Sequence, residues 1–226
     1  MNADATPNGR EALIRSARTL FAERGAYAVS MREVGRAADQ RNSNAVQYHF
    51  GDREALLAAV LRPHHALVAA RRAALLDELE ASPAPSLRAL AGALVRPSAA
   101  MLEDAEGRAY LRIQAELIAD PKNLERSGPF ANTDLHRWHR LVRRHIPASS
   151  VSLHRRFSAM HLCFSELGRR AASRRRADHR LFVSDLVDLT TGVLGVEVSE
   201  ETLRLLDEKN RAGASRSRKR GLEKRA

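Results

Sequence analysis

Cysteine is nearly absent: Cys163 is the single one in 226 residues. No disulfide can form within the chain, and a reducing compartment, the cytoplasm, is expected. No stretch approaches the roughly 18 to 20 uninterrupted apolar residues that span a bilayer, so no membrane partner is expected. The N-terminus carries no apolar run of the kind that opens a secretory leader. Aromatics make up 4% of the chain and lysine is scarce beside arginine. Nucleophile–base constellations and clustered metal ligands are also missing, which argues against an enzyme and predicts no cofactor and no metal. His136 and His139 stand three apart at metal-ligand spacing, but without partner ligands they read as surface histidines. Cys163 sits among apolar neighbours and reads as a buried thiol rather than a redox sensor.

Positive charge is what remains in excess, at a formal +11. A polyanionic partner is implied, but the distribution tempers this. From Lys209 to the end stand eight basic residues and one acidic, whereas residues 1–60 hold eight basic and seven acidic. Most of the excess therefore lies in the last residues. That stretch, "RAGASRSRKRGLEKRA", has no apolar period and is expected to be a disordered basic tail over 210–226.

The rest reads as helix, rich in alanine, leucine and arginine with apolar residues at helical spacing. A first helix is expected over 10–24, with Leu13, Ala17, Leu20 and Phe21 on one face and Gly25 as its cap. Ser30 and Glu33 form a capping box for a second helix reaching about Ala38. A turn at 39–41 leads to a short third helix over roughly 43–49, capped by Asn42 or Ser43. Asp52 caps a fourth that starts at Arg53. Two helices across a tight turn, braced by the first, describe a helix-turn-helix of the DNA-reading kind. Beyond residue 62, prolines divide the chain into expected helices at 63–81, 86–102, 106–119, 133–145, 150–176, 178–195 and 199–209. Pro63 is read as an interruption of the helix joining the two parts, a candidate hinge or a static bend.

For direct base readout the polar residues of the third helix are the candidates: Asn42, Ser43, Asn44 and Gln47. Asparagine and glutamine pair bidentately with adenine; the plainer alternative is that two of the four only cap the helix. Ala45 and Val46 face either thymine methyls or the core.

The stretch "ALIRSARTLFAERGAYAVSMREVGRAA" followed by "YHFGDREALL" resembles the DNA-binding domain of TetR/AcrR-type transcriptional regulators, over about residues 10–61. The resemblance implies an all-α chain: a flexible 1–9, the three-helix DNA-binding domain at 10–61, and a larger helical ligand-binding and dimerisation domain at 62–209. It implies that the third helix enters the major groove, that His49 and Arg53 grip phosphate, with Tyr48 joining them by its hydroxyl, and that Phe50 packs beneath. The turn and third helix look one residue longer than the family pattern, so Gln47 or Tyr48 takes the usual tyrosine place. Asp39 stands where glycine is commoner, and Arg53 replaces lysine. Further implied are a homodimer on double-stranded, palindromic operator DNA, repression relieved by an unidentified small apolar or amphipathic molecule, a ligand pocket touching Met101, Leu102, Leu117 and Trp138, and a dimer interface using Phe157, Met160, Phe164, Phe182, Leu186 and Leu189.

Overall fold

The computed structural model describes residues 7–40, 42, 44–119, 133–173 and 178–223, with the backbone alone at 7, 8, 133 and 213–223. Every regular element among them is helical. Helices α1 (Pro7–Arg24), α2 (Met31–Ala37) and α3 (Ala45–Phe50) form an N-terminal unit. A larger helical part follows, built from α4 (Arg53–Ala81), α5 (Leu87–Ala99), α6 (Ala105–Ala119), α7 (Thr133–Arg143), α8 (Ala148–Ser152), α9 (Arg155–Ala172), α10 (Arg180–Gly195) and α11 (Glu200–Glu223). The fold is all-α, a helix-turn-helix unit followed by a bundle.

The small unit is held by Leu13, Ala17 and Phe21 of α1, Val34 of α2, Ala45 and Val46 of α3, and Leu56 and Leu57 of α4, all buried. Helix α1 ends where Gly25 takes φ +96° and its N–H donates to the Phe21 carbonyl. Glycine meets that left-handed requirement without strain. In the larger part α6 packs against α9, α5 against α10, and α9 against α10. Gly168 marks the tightest crossing, since a Cβ there would lie 2.3 Å from the Ala115 Cβ.

Three features of the helices differ from the sequence expectation. Pro63 does not interrupt α4, which runs unbroken for 29 residues; the missing N–H costs the Ala59 carbonyl its intrahelical donor but packing on both flanks carries the helix through. The expected helix over 150–176 is two helices, because His154 adopts a left-handed φ of 56° between α8 and α9. Helix α11 reaches Glu223, so the backbone over 210–223 is helical where a disordered tail is expected. Alanine, arginine, lysine and leucine there are good helix formers even without an apolar stripe.

A buried polar group sits in the bundle. The Arg72 guanidinium of α4 pairs through Nη1 with Asp134 of α7, donates from Nη2 to the Ser98 hydroxyl at 3.2 Å, and from Nε to the Ala93 carbonyl at 3.3 Å. The Ala93 carbonyl would ordinarily accept from residue 97, which is proline, so Arg72 supplies the donor that Pro97 lacks.

Candidate nucleic-acid interface

The α2–turn–α3 corner is set by local chemistry. Ser30 accepts from the Glu33 N–H at 3.2 Å while the Glu33 carboxylate accepts from the Ser30 N–H at 2.8 Å, the capping box read from sequence. Those hydrogen bonds, from the Ser30 backbone first, with Arg24 nearby, draw the Glu33 carboxyl down to about 2. Asp39 then turns the chain at φ 53°, a conformation that aspartate tolerates better than most side chains. Its place there accounts for the glycine that the resemblance leads one to expect.

Helix α3 begins one or two residues later than the sequence suggests. Its N-cap is Asn44, which makes no side-chain cap bond; neither Asn42 nor Ser43 holds that position. Asn42 instead accepts the Asn44 N–H at its Oδ1, 2.9 Å away, closing an Asx turn just ahead of the helix. Ser43 lies outside the described residues. Ala45 and Val46 face the core, which settles their alternative, while Asn42, Asn44, Gln47 and Tyr48 are each exposed. Tyr48, 64% exposed, is the large hydrophobic side chain that the described N-terminal unit leaves open. His49 is half-buried, with its ring edge-on to Tyr48 at 5.2 Å between centroids.

Phe50 packs half-buried against the core, under the Arg10 guanidinium, whose carbon lies 4.9 Å from the ring centroid. The sequence gives no sign of Arg10's role, because the contact joins the two ends of the unit. Gly51 follows at φ 83°, and Asp52 caps α4 by accepting the Ala55 N–H at 2.7 Å. Arg53 is only partly available: its Nη1 donates to the carbonyls of Ala26 and Val29 at 2.5 and 2.6 Å. It ties the α1–α2 loop to the start of α4.

A family model described as bacterial regulatory proteins, tetR family, matches residues 13–60. Its N-terminal domain belongs to the tetR family. The matched residues are the helices and corner just described, which makes the chain a DNA-binding transcriptional regulator. Similar solved structures include a TetR-family transcriptional regulator from Mesorhizobium loti, 17% identical, covering 84% of this chain and 96% of its own, with a TM-score of 0.48. Salmonella enterica GusR is 22% identical over 85% of this chain and 99% of its own, at 0.42. A TetR-family regulator from Rhodococcus sp. is 20% identical over 91% and 98%, at 0.38. No curated protein matches the chain.

Outside the TetR-family domain, the residues expected at a ligand pocket and a dimer interface divide. Met101, Leu102, Leu117 and Trp138 are all buried in the bundle. The indole N–H of Trp138 donates to the Leu90 carbonyl at 2.8 Å, so its one polar atom is already engaged. Of the interface candidates, Met160, Phe164 and Leu186 turn inward within the subunit. Their apolar character belongs to the α6–α9 and α5–α10 contacts, and a helix buried on one face needs it there. Phe157 and Leu189 are exposed, and Phe182 is half-buried beneath Arg170. Leu181, 81% exposed, is an outward apolar residue of α10 that is not among the six interface candidates; it shares a face with Leu189 at eight residues' spacing. Among the described residues no helix is long and apolar enough to cross a membrane, and no three metal-ligating side chains converge.

Proposed function

We propose that the protein is a homodimeric repressor that binds a palindromic operator and leaves it when a small apolar or amphipathic molecule enters the helical domain. The observation that carries the reading is that Asn42, Asn44, Gln47 and Tyr48, at and just ahead of α3, are all exposed while Ala45 and Val46 of the same helix are buried in a buttressed helix-turn-helix. Asn42, Ser43, Asn44 and Gln47 read base edges, where a bidentate pair discriminates by about 1–3 kcal/mol. Tyr48, His49 and the free part of the Arg53 guanidinium hold flanking phosphates and fix the register.

The dimer forms through the outer faces of α9 and α10. Phe157, Leu181 and Leu189 are exposed there while the inner faces of the same helices are filled, and a two-fold pairing of such faces makes a four-helix interface. The ligand occupies the bundle near Met101, Leu102, Leu117 and Trp138, and acts by favouring a state whose two reading helices no longer match successive major grooves.

A nucleic-acid-associated protein with no small-molecule ligand is the alternative, favoured by the charge gathered after Lys209. Fluorescence anisotropy with DNA from the protein's own upstream region, under excess nonspecific competitor, separates the two. The repressor reading expects tight, competitor-resistant binding that His49→Ala weakens and truncation after Asn210 spares. Binding that disappears with the truncated half of α11, or that never exceeds binding to random DNA, would refute it.

A further inference from the structure

The N–H and carbonyl of one buried residue link the two parts of the molecule. Ala26, in the loop between α1 and α2, is fully buried, so both polar groups of its backbone need partners. The N–H finds Glu116 of α6, whose Oε2 accepts it at 2.8 Å from 90 residues away in sequence. The carbonyl accepts from Arg53 Nη1, at the head of α4. Gly25 makes room for this: a Cβ there would come within 2.8 Å of Glu116 Oε1. A second tie joins Arg18 of α1 to Glu106, in the first turn of α6. Residues 106 and 116 are about 15 Å apart along a helix at 1.5 Å per residue, so α6 holds α1 and the loop that follows it at two separated points.

We infer that Glu116 is a positioning residue for DNA binding: its carboxylate holds the Ala26 peptide, and through Arg53 the α3–α4 corner, in the reading geometry. The inference rests on the assignment of α3 as the reading helix. The path is short. Arg53 follows Asp52 and Gly51 directly, and Gly51 closes α3. Without the acceptor, the loop is held from the Arg53 side only, and the fraction of molecules with α3 correctly set falls.

Charge and positioning predict opposite signs, which makes the inference testable. Removing a carboxylate from a DNA-binding protein raises its net charge and, by electrostatics alone, its affinity. The test uses the full chain and the duplex that the wild type enriches from a random library, read by anisotropy at several salt concentrations. Glu116→Gln and Glu116→Met lose the same charge at similar length, but only glutamine retains an acceptor oxygen. The expected result is binding at or above wild type for Glu116→Gln and about tenfold weaker binding for Glu116→Met, the scale of a hydrogen bond to a charged group. The salt slope should be the same for both, because neither touches phosphate. Faster amide exchange at Ala26 should accompany the methionine variant, and Glu116→Ala should repeat the loss if methionine perturbs folding. Equal affinities for the Gln and Met variants overturn the inference and leave the DNA reading intact. Failure of the wild type to enrich any duplex overturns both.

Discussion

Replacing Arg72 with methionine should be among the most damaging single changes in the bundle. Methionine keeps the length and apolar stem of arginine but removes three interactions at once. Asp134, itself buried, loses its counter-charge, and breaking a buried pair from one side costs about 3–5 kcal/mol. The Ala93 carbonyl loses its donor as well, and Pro97 has no N–H to offer in its place. Ser98 is the least affected, since its hydroxyl can turn to a carbonyl one turn back. The expected loss is therefore about 4 kcal/mol, or roughly 8–16 °C in melting temperature for a chain of this size. Urea unfolding at fixed protein concentration measures it, because dimerisation would otherwise shift the midpoint. Two further variants test the reasoning. Arg72→Met with Asp134→Leu removes both charges and should recover most of the loss. In a Pro97→Ala background the helix supplies its own donor to Ala93, so Arg72→Met should cost about 1 kcal/mol less than in wild type. A loss under 1 kcal/mol for Arg72→Met alone, or costs that do not change with Pro97→Ala, would refute this account of the group.

Acid should weaken the helical domain through His139. Burial first, then the Arg156 charge, holds its imidazole down to about 4. A histidine depressed in the folded state favours unfolding wherever the unfolded chain binds the extra proton, so stability is full above pH 6.5 and falls as pH drops toward 4. His64, lowered mainly by burial, adds in the same direction. Melting temperatures at pH 7.5 and 5 should differ less in His139→Gln than in wild type; an unchanged difference counts against the assignment. Gly51→Ala should cost about 1–2 kcal/mol, because the strain lies in the positive φ and not in space: a Cβ there would meet nothing within 4 Å. Thermal melting reads that cost, and a neutral variant would show that the corner relaxes freely. The Cys163 thiol, fully buried and pushed up by that burial to about 12, should react with a maleimide far more slowly than a free thiol, at a rate that rises with urea; prompt labelling in buffer would contradict its burial.

Local chemistry was readable from the sequence and distant pairing was not. Ser30 with Glu33, and Asp52 ahead of α4, declare themselves because cap and helix lie within three residues. The start of α3 was misplaced because three consecutive polar residues each make a plausible cap, and the choice depends on the Asx turn that Asn42 forms. The helix division at His154 has no glycine or proline to announce it. Apolar content identified α9 and α10 as important but did not separate the face turned inward, with Met160, Phe164 and Leu186, from the face left open. Nothing near Arg72 in the sequence marks it, because its partner Asp134 lies 62 positions on. Glu116 gave no signal either, for the same reason.

The crossing at Gly168 gives the molecule a fulcrum. Where Ala115 meets Gly168 the backbone of α9 leaves no side chain of its own to compress, so a rotation of one helix on the other has least room there and pivots about that point. Glu116 is the next residue along α6 and stands beside that pivot, whereas Glu106 lies near the far end of the arm. A tilt of α6 about Gly168 would therefore displace the Arg18 attachment much more than the Ala26 one. A bulkier residue at either 115 or 168 would shift the pivot itself, and with it the resting angle of the whole reading head.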